Sequence, residues 1–210
     1  MSISVLVVED DAFTRATLAA ALEKEGFSVL GPSGNVATAI DSFNTHRQDV
    51  LLADLDLGTG PGGVELSNLL RKASPQLGVV FLTSFEDPRL HRQSLDRLPG
   101  GSKYLVKQSL VDTNQIANAI KEAKSQALLA DPKFEYPSIQ GFTDVQIETM
   151  QLVAEGLSNS EIAKQRFVSE KAIEKTVKLI AEQLQLAPDS SKNLRVSITR
   201  AYLKLTGGKA

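Results

Sequence analysis

Val50-Leu51-Leu52-Ala53-Asp54-Leu55-Asp56-Leu57 is the stretch on which the reading of the whole chain turns. Four consecutive apolar residues bounded by polar ones suit a strand covered on both faces and are too few for a typical helix. The following Gly58-Thr59-Gly60-Pro61-Gly62-Gly63 is loop chemistry. Asp54 therefore stands at the carboxyl end of a buried strand, the edge at which open α/β sheets place their sites.

Outward from this strand the same unit repeats. On the amino-terminal side, residues 3–8 form an apolar strand closed by Glu9-Asp10-Asp11, and Leu18, Ala19 and Leu22 then recur at helical spacing until Gly26. Residues 27–30 read as a strand ending at Gly31-Pro32, followed by the helical stripe Val36, Ala39, Ile40, Phe43. On the other side come a helix over 64–73 stopped by Ser74-Pro75, a strand over 78–82 ending at Thr83-Ser84, and a helix over 87–97. A strand over 103–106 ends at Lys107, and Ile116, Ala119, Ile120 and Ala123 mark a last helix. Five strands alternating with helices, joined by right-handed crossovers, predict a five-stranded parallel doubly wound α/β domain over residues 1–125. Glu9, Asp10, Asp54, Thr83 and Lys107 come from four strands of that sheet, and all lie at or just past carboxyl ends, so they can share one crevice.

Three carboxylates in one crevice repel one another and raise each other's pKa unless a cation neutralises them. Mg²⁺ suits two carboxylates, a carbonyl and waters, and it would screen an incoming phosphoryl group held in line with a carboxylate oxygen. Asp54 is then the nucleophile, and Thr83 and Lys107 supply a hydroxyl and an ammonium to phosphate oxygens. Taken singly, an Asp after a strand is a turn residue, a Thr there a local cap and a Lys there a solvated charge. The ordered set carries the reading.

Residues 1–125 resemble a CheY-like response-regulator receiver domain, of strand order 2-1-3-4-5. Val-Val-Glu9-Asp10-Asp11 resembles the family's acidic pair, Leu-Leu-Ala-Asp54 its phosphoacceptor strand, Phe-Leu-Thr83-Ser84 its switch hydroxyl, and Tyr104-Leu-Val-Lys107 its switch aromatic and lysine. The resemblance implies autocatalytic phosphoryl transfer from a histidine kinase to Asp54. It also implies a Mg²⁺ site made of Asp10, Asp54, the backbone carbonyl of Asp56 and, through water, Glu9. Thr83 would move toward the phosphate and Tyr104 would turn inward.

The chain has 210 residues, 42% of them hydrophobic, which is ample for packed cores, and no cysteine, which excludes a disulfide frame, a zinc knuckle and a thiol nucleophile. His46 and His91 are too far apart in sequence to suggest a metal motif. No apolar run approaches the roughly 18 residues of a membrane span, and Glu9-Asp10-Asp11 comes too early for a signal peptide. A cytoplasmic protein without membrane contact is expected. Residues 1–141 carry 13 Lys+Arg against 17 Asp+Glu and residues 142–210 carry 10 against 8, so a nucleic-acid partner would belong to the second part.

Residues 126–141 contain Asp131-Pro132, Tyr136-Pro137 and Gly141 and read as a linker, with Phe134 and Tyr136 free to dock on either side of it. Three helix starts follow. Thr143 to Gln146 and Ser158 to Glu161 are capping boxes, flanked by the apolar pairs Phe142/Ile147 and Leu157/Ile162, and Ser169 opens a third helix between Val168 and Ile173. In that helix Ile173, Val177, Ile180 and Leu184 form the buried stripe, leaving Lys171, Glu174, Lys175 and Lys178 on another face. Such a face is commonly just solvated; it also suits a recognition helix in a DNA major groove.

Gln151-Leu-Val-Ala-Glu155-Gly156-Leu157-Ser158-Asn159-Ser-Glu161-Ile162-Ala163, then Val168-Ser169-Glu170-Lys171, resembles the LuxR-type (NarL-like) helix-turn-helix, covering residues 142–206 and leaving 207–210 as a tail. The resemblance implies a small all-α four-helix domain that binds double-stranded DNA through Ser169, Lys171, Glu174, Lys175 and Lys178. It also implies a last helix from about 193 to 205 that supports a homodimer. The whole chain then reads as a phosphorylation-controlled transcriptional regulator, and not an enzyme beyond acting on its own aspartyl phosphate. Glu174 stands where that family commonly has a basic residue and Thr176 where it has histidine, which motivates an alternative: a phosphorylation-independent regulator or protein-binding adaptor. A remoter alternative is a Mg²⁺-dependent phosphohydrolase, because Asp54-Leu-Asp56 before Thr59 is similar to the nucleophile motif of haloacid-dehalogenase-type phosphatases, with the spacing one residue too long.

Overall fold

The structure, a computed structural model, describes residues 2–91, 98–127, 139, 141–186 and 193–208. The chain divides into two compact units, one of Met1–Ser84 with Gln93–Tyr136, the other of Phe85–Arg92 with Pro137–Ala210.

In the first unit β1 (Ser4–Val8), β2 (Ser28–Val29), β3 (Val50–Ala53), β4 (Gly78–Thr83) and β5 (Lys103–Val106) form one parallel sheet in the order β2-β1-β3-β4-β5. The predicted doubly wound α/β fold is present, with β3 at its centre. β3 and β4 are buried along their whole length because both faces are covered. Val5, Val7, Val50, Leu52, Val80 and Leu82 pack on one face with Leu22 of α1 (Ala12–Lys24) and Ile116, Ile120 and Ala123 of α4 (Thr113–Gln126). The alternate residues Leu6, Leu51, Val79 and Phe81 are buried on the opposite face, the side of Ala39 and Phe43 of α2 (Val36–His46) and Leu66 and Leu70 of α3 (Gly63–Ala73). Asp11, Asn35 and Asp112 cap α1, α2 and α4 by accepting backbone N–H bonds of the first turn.

The predicted helix over 87–97 does not form as read. The described part is one 3₁₀ turn, Pro88–Leu90, and His91 after it is extended; residues 92–97 lie outside the described residues. Asp87 caps the turn and Pro88 sits at its first position, so a helix start is indeed encoded. Tertiary bonds override its continuation. Asp87 is fully buried, and its carboxylate accepts from the Arg89 backbone N–H, the Arg89 guanidinium and the backbone N–H of Ile139. Arg89 donates in turn to the Phe142 carbonyl at 3.0 Å and to Asp144 at 2.9 Å. Leu90 is buried with Phe142, Ile147, Met150 and Val153, and its carbonyl accepts from the Tyr202 hydroxyl. The segment is thereby an inner part of the second unit.

That unit is completed by α5 (Asp144–Ala154), α6 (Asn159–Gln165), α7 (Glu170–Gln183) and α8 (Leu194–Leu205), the four helices expected. Thr143, Ser158, Ser169 and Asn193 are their caps, and Gln146 and Glu161 close the two capping boxes. Phe142 and Ile147 are both buried, whereas of the Val168/Ile173 pair only Ile173 is. Arg195 of α8 donates to Asn159 and to the Leu157 carbonyl, bolting the last helix to the start of α6. Most of the expected linker, with Phe134 and Tyr136, lies outside the described residues.

Candidate functional site

Strand register places the acidic and basic residues at one edge. Val8 pairs with Ala53, Ala53 with Phe81 and Phe81 with Tyr104, so these four form one row across the sheet. Glu9 and Asp54 lie one residue past the row, Thr83 two and Lys107 three. The Asp54 N–H donates to the Val8 carbonyl at 3.0 Å and the Glu9 N–H to the Ser33 carbonyl at 3.1 Å, which holds both backbones in place. β5 is two strands from β3, roughly 10 Å at ordinary strand spacing, and the lysine stem spans that gap. From the short turn Lys107–Ser109 its ammonium donates to Asp54 Oδ2 and to Glu9 Oε2, each at 2.7 Å.

These three side chains are sheltered, and burial sets their electrostatics. It pushes the Glu9 carboxyl above its ordinary pKa, outweighing the hydrogen bond from Lys107, and the charges of Asp54 and Asp10 add to the rise. Burial works against the Lys107 ammonium too, but the Asp54 carboxylate beside it, with Glu9 as second partner, prevails and holds its pKa above the ordinary lysine value. The two partners thus rise together for different reasons: Glu9 from desolvation, Lys107 from facing two acids. Lys107 is a cation at neutral pH.

The three carboxylates do not form one cluster. Glu9 and Asp54 are bridged by Lys107, whereas Asp10 is exposed, its Oδ1 accepting the Asp11 N–H at 2.9 Å and its Oδ2 lying toward Gly58. Asp56 is exposed as well; its N–H donates to Asp54 Oδ1 at 3.3 Å and its carboxylate accepts the Gly58 N–H at 3.1 Å. Among the described residues no three His, Cys, Asp or Glu side chains stand together as a metal-binding group. The carboxylates and carbonyls at this edge are hard oxygen donors, the class that Mg²⁺ takes with water completing its shell. Thr83 is fully buried at the end of β4, and Tyr104 is half-buried in β5.

Gly63, read from the sequence as loop, is the first residue of α3. A Cβ there would come within 2.0 Å of the Asp54 carbonyl oxygen, and the Gly63 N–H donates to the Leu55 carbonyl at 3.0 Å. Only glycine lets the helix start this close to the Asp54 backbone. Gly63→Ala is expected to push Asp54 out of register with Lys107 and cost about 2–3 kcal/mol as overpacking. Chemical denaturation, with the amide resonances of Asp54 and Leu55 as local reporters, checks this.

In the second unit Lys171, Glu174, Lys175 and Lys178 are all exposed on α7, opposite the buried Ile173, Val177 and Ile180; Leu184, at the end of the stripe, is half-buried. Ser169 is exposed, and its hydroxyl caps the helix by accepting the Ala172 N–H at 3.2 Å. Glu174 stands four residues before Lys178 and lowers the net charge of the face. The Thr176 hydroxyl bonds back to the Ala172 carbonyl.

Residues 5–121 match the response regulator receiver domain, more than half of the chain. The chain belongs to the response regulator receiver family. With its helix-turn-helix unit it is a response regulator of two parts. The response regulator protein VraR of Staphylococcus epidermidis is 29% identical over 198 residues, covering 89% of this chain and 92% of that protein. The DNA-binding transcriptional activator DevR/DosR of Mycobacterium tuberculosis is 28% identical over 200 residues, covering 87% and 88%. Among solved structures, the two-component response regulator RcsB in complex with DNA shares the fold of the whole chain, with a TM-score of 0.58 and 21% identity over 98% of this chain and 99% of that one. Among the described residues no helix is long and apolar enough to cross a membrane.

Proposed function

We propose that the receiver accepts a phosphoryl group on Asp54 from a histidine kinase and that this controls DNA binding by α7. The observation that carries the reading is the Lys107 ammonium held at 2.7 Å from the Asp54 carboxylate at the carboxyl edge of the sheet. In the transfer, the bond from phosphorus to the kinase histidine nitrogen breaks as a bond from phosphorus to an Asp54 carboxylate oxygen forms. Lys107 offsets the charge that arrives, and the Thr83 hydroxyl donates to a phosphate oxygen. Asp10, Asp54 and the Asp56 carbonyl would hold Mg²⁺, with Glu9 acting through water. The ion supplies positive charge against the three phosphoryl oxygens. Like other receivers, the chain acts only on its own aspartate.

The new dianion beside Lys107 competes with Glu9 for the ammonium, so phosphorylation redistributes the bonds at this edge. Thr83 and Tyr104 carry that change outward, and the phosphorylated chains pair as a homodimer. DNA-bound RcsB and the DNA-binding DevR/DosR support the output. On this chain Lys171, Lys175 and Lys178 meet phosphates or guanine edges, Glu174 accepts from cytosine, and Ser169 contacts the backbone at the helix start.

The test combines a small phosphodonor and Mg²⁺ with binding to a genomic library of duplex DNA at several salt concentrations. Wild-type protein is expected to gain one phosphoryl group and bind more tightly. Changing Lys171, Lys175 and Lys178 to Ala together should reduce the slope of log affinity on log salt by about 0.9 for each DNA phosphate that is no longer neutralised. Equal affinity with and without phosphodonor would favour constitutive binding. A slope unmoved by the triple change would remove α7 from the interface and favour the adaptor.

A further inference from the structure

The acid-pair loop that follows β1 has a partner outside the set of reacting groups. Arg15, in the first turn of α1, turns its guanidinium back under the loop, where Nη1 donates to the Glu9 carbonyl at 2.5 Å and to the Asp10 carbonyl at 3.2 Å. One nitrogen therefore holds the main chain of both acids. The rest of the loop is bonded within itself: Asp11 takes the Thr14 N–H on its side chain and the Arg15 N–H on its carbonyl, and the Asp11 N–H occupies Asp10 Oδ1. Glu9 is tied from its other side by its N–H bond to Ser33. The guanidinium lies against Gly34, where a Cβ would stand 3.0 Å from Nη1 and 3.4 Å from Cζ.

We propose that Arg15 is a positioning residue for phosphoryl transfer: by drawing the Glu9 and Asp10 carbonyls onto one guanidinium nitrogen it fixes where their two carboxylates face the cation. The inference rests on the phosphoryl-transfer reading above. Consecutive like-charged side chains at the mouth of a site splay apart when their backbone is free, because separation lowers their repulsion. Two carbonyls turned toward a cation beneath the loop oppose that motion, and the fixed positive charge attracts both acids. Arg15 bonds the main chain of Glu9 and Asp10 and acts through them.

The measurement is Mg²⁺ titration of the full-length protein, read from the amide resonances of Asp10, Asp11 and Asp56, beside the Mg²⁺ dependence of phosphoryl uptake from acetyl phosphate. Arg15→Ala is expected to weaken Mg²⁺ binding about tenfold, as loss of a residue that orients ligands commonly does. Its half-saturating Mg²⁺ concentration should rise in step while the rate at saturating Mg²⁺ is kept. Arg15→Lys should restore most of the affinity, because both bonds come from a single nitrogen and an ammonium can donate both. A role confined to stapling α1 predicts a lower melting temperature with the Mg²⁺ constant unchanged, and that result in folded Arg15→Ala overturns the proposal. If Arg15→Ala does not fold, Gly34→Val keeps the arginine but puts methyl groups where its guanidinium lies; an unchanged Mg²⁺ constant there overturns the proposal equally. Wild-type protein that takes up neither Mg²⁺ nor phosphoryl group overturns the functional reading itself. Wild type that takes up both while Arg15→Ala matches it removes only the role of Arg15.

Discussion

Asp54→Asn is expected to fold and to take up no phosphoryl group from any donor. The amide keeps the shape of the side chain and an oxygen that can accept from Lys107, so the bridge now at 2.7 Å has a neutral substitute. An amide oxygen is not the nucleophile that a carboxylate is, and the loss is a loss of the reacting atom rather than of the fold. Removing this charge also removes one repulsion on Glu9, whose raised pKa should come down toward the ordinary glutamate value. Intact mass after treatment with phosphodonor and Mg²⁺ reads the first effect, and a carboxyl-resolved pH titration reads the second. A mass gain retained by the variant would move the phosphoacceptor elsewhere, with Asp56 the first residue to replace next.

Leu90→Ala should destabilise the helix-turn-helix unit, although residue 90 comes from the middle of the receiver sequence. Leu90 is 1% exposed and packs among Phe142, Ile147, Met150 and Val153. Truncating a leucine so enclosed leaves a cavity and costs about 2–5 kcal/mol. Native-state amide exchange resolves where the cost falls. Protection is expected to drop in α5 and α7 and to hold in β3 and β4. The opposite pattern would assign the 85–92 segment to the sheet.

The sheet and its reactive edge were legible because each signal is local. Runs such as 50–53 and 78–83 are apolar without alternation, which marks strands covered on both faces, and each ends in a polar residue at the edge where sites form. The helix starts at Asp144, Asn159 and Glu170 were legible for the same reason: the cap and the residue it bonds are at most three positions apart. Arg15 carried no such signal. An arginine in the first turn of a helix reads as solvated, and only the fold shows that its guanidinium reaches back to the carbonyls of residues 9 and 10. Gly63 was legible as a glycine but not as a contact, since the group it makes room for is the Asp54 carbonyl nine positions earlier.

The stretch at residues 50–57 shows the division most plainly. Its composition alone determined a buried strand that delivers Asp54 to the sheet edge, because backbone pairing and burial leave a short apolar run no other outcome in this context. It also determined two carboxylates two residues apart. Which of them is sheltered was decided by the tertiary structure: Asp54 is held by Lys107, 53 positions away in sequence, whereas Asp56 turns out to solvent over the glycine loop. The 87–97 segment divides the same way. Asp87-Pro88 encodes a helix start, but a buried carboxylate must be fully bonded, and the groups that bond Asp87 come from Arg89 and from Ile139 in the far half of the chain. Local sequence sets which backbone states are cheap, and long-range pairing of buried charge decides which of them is kept.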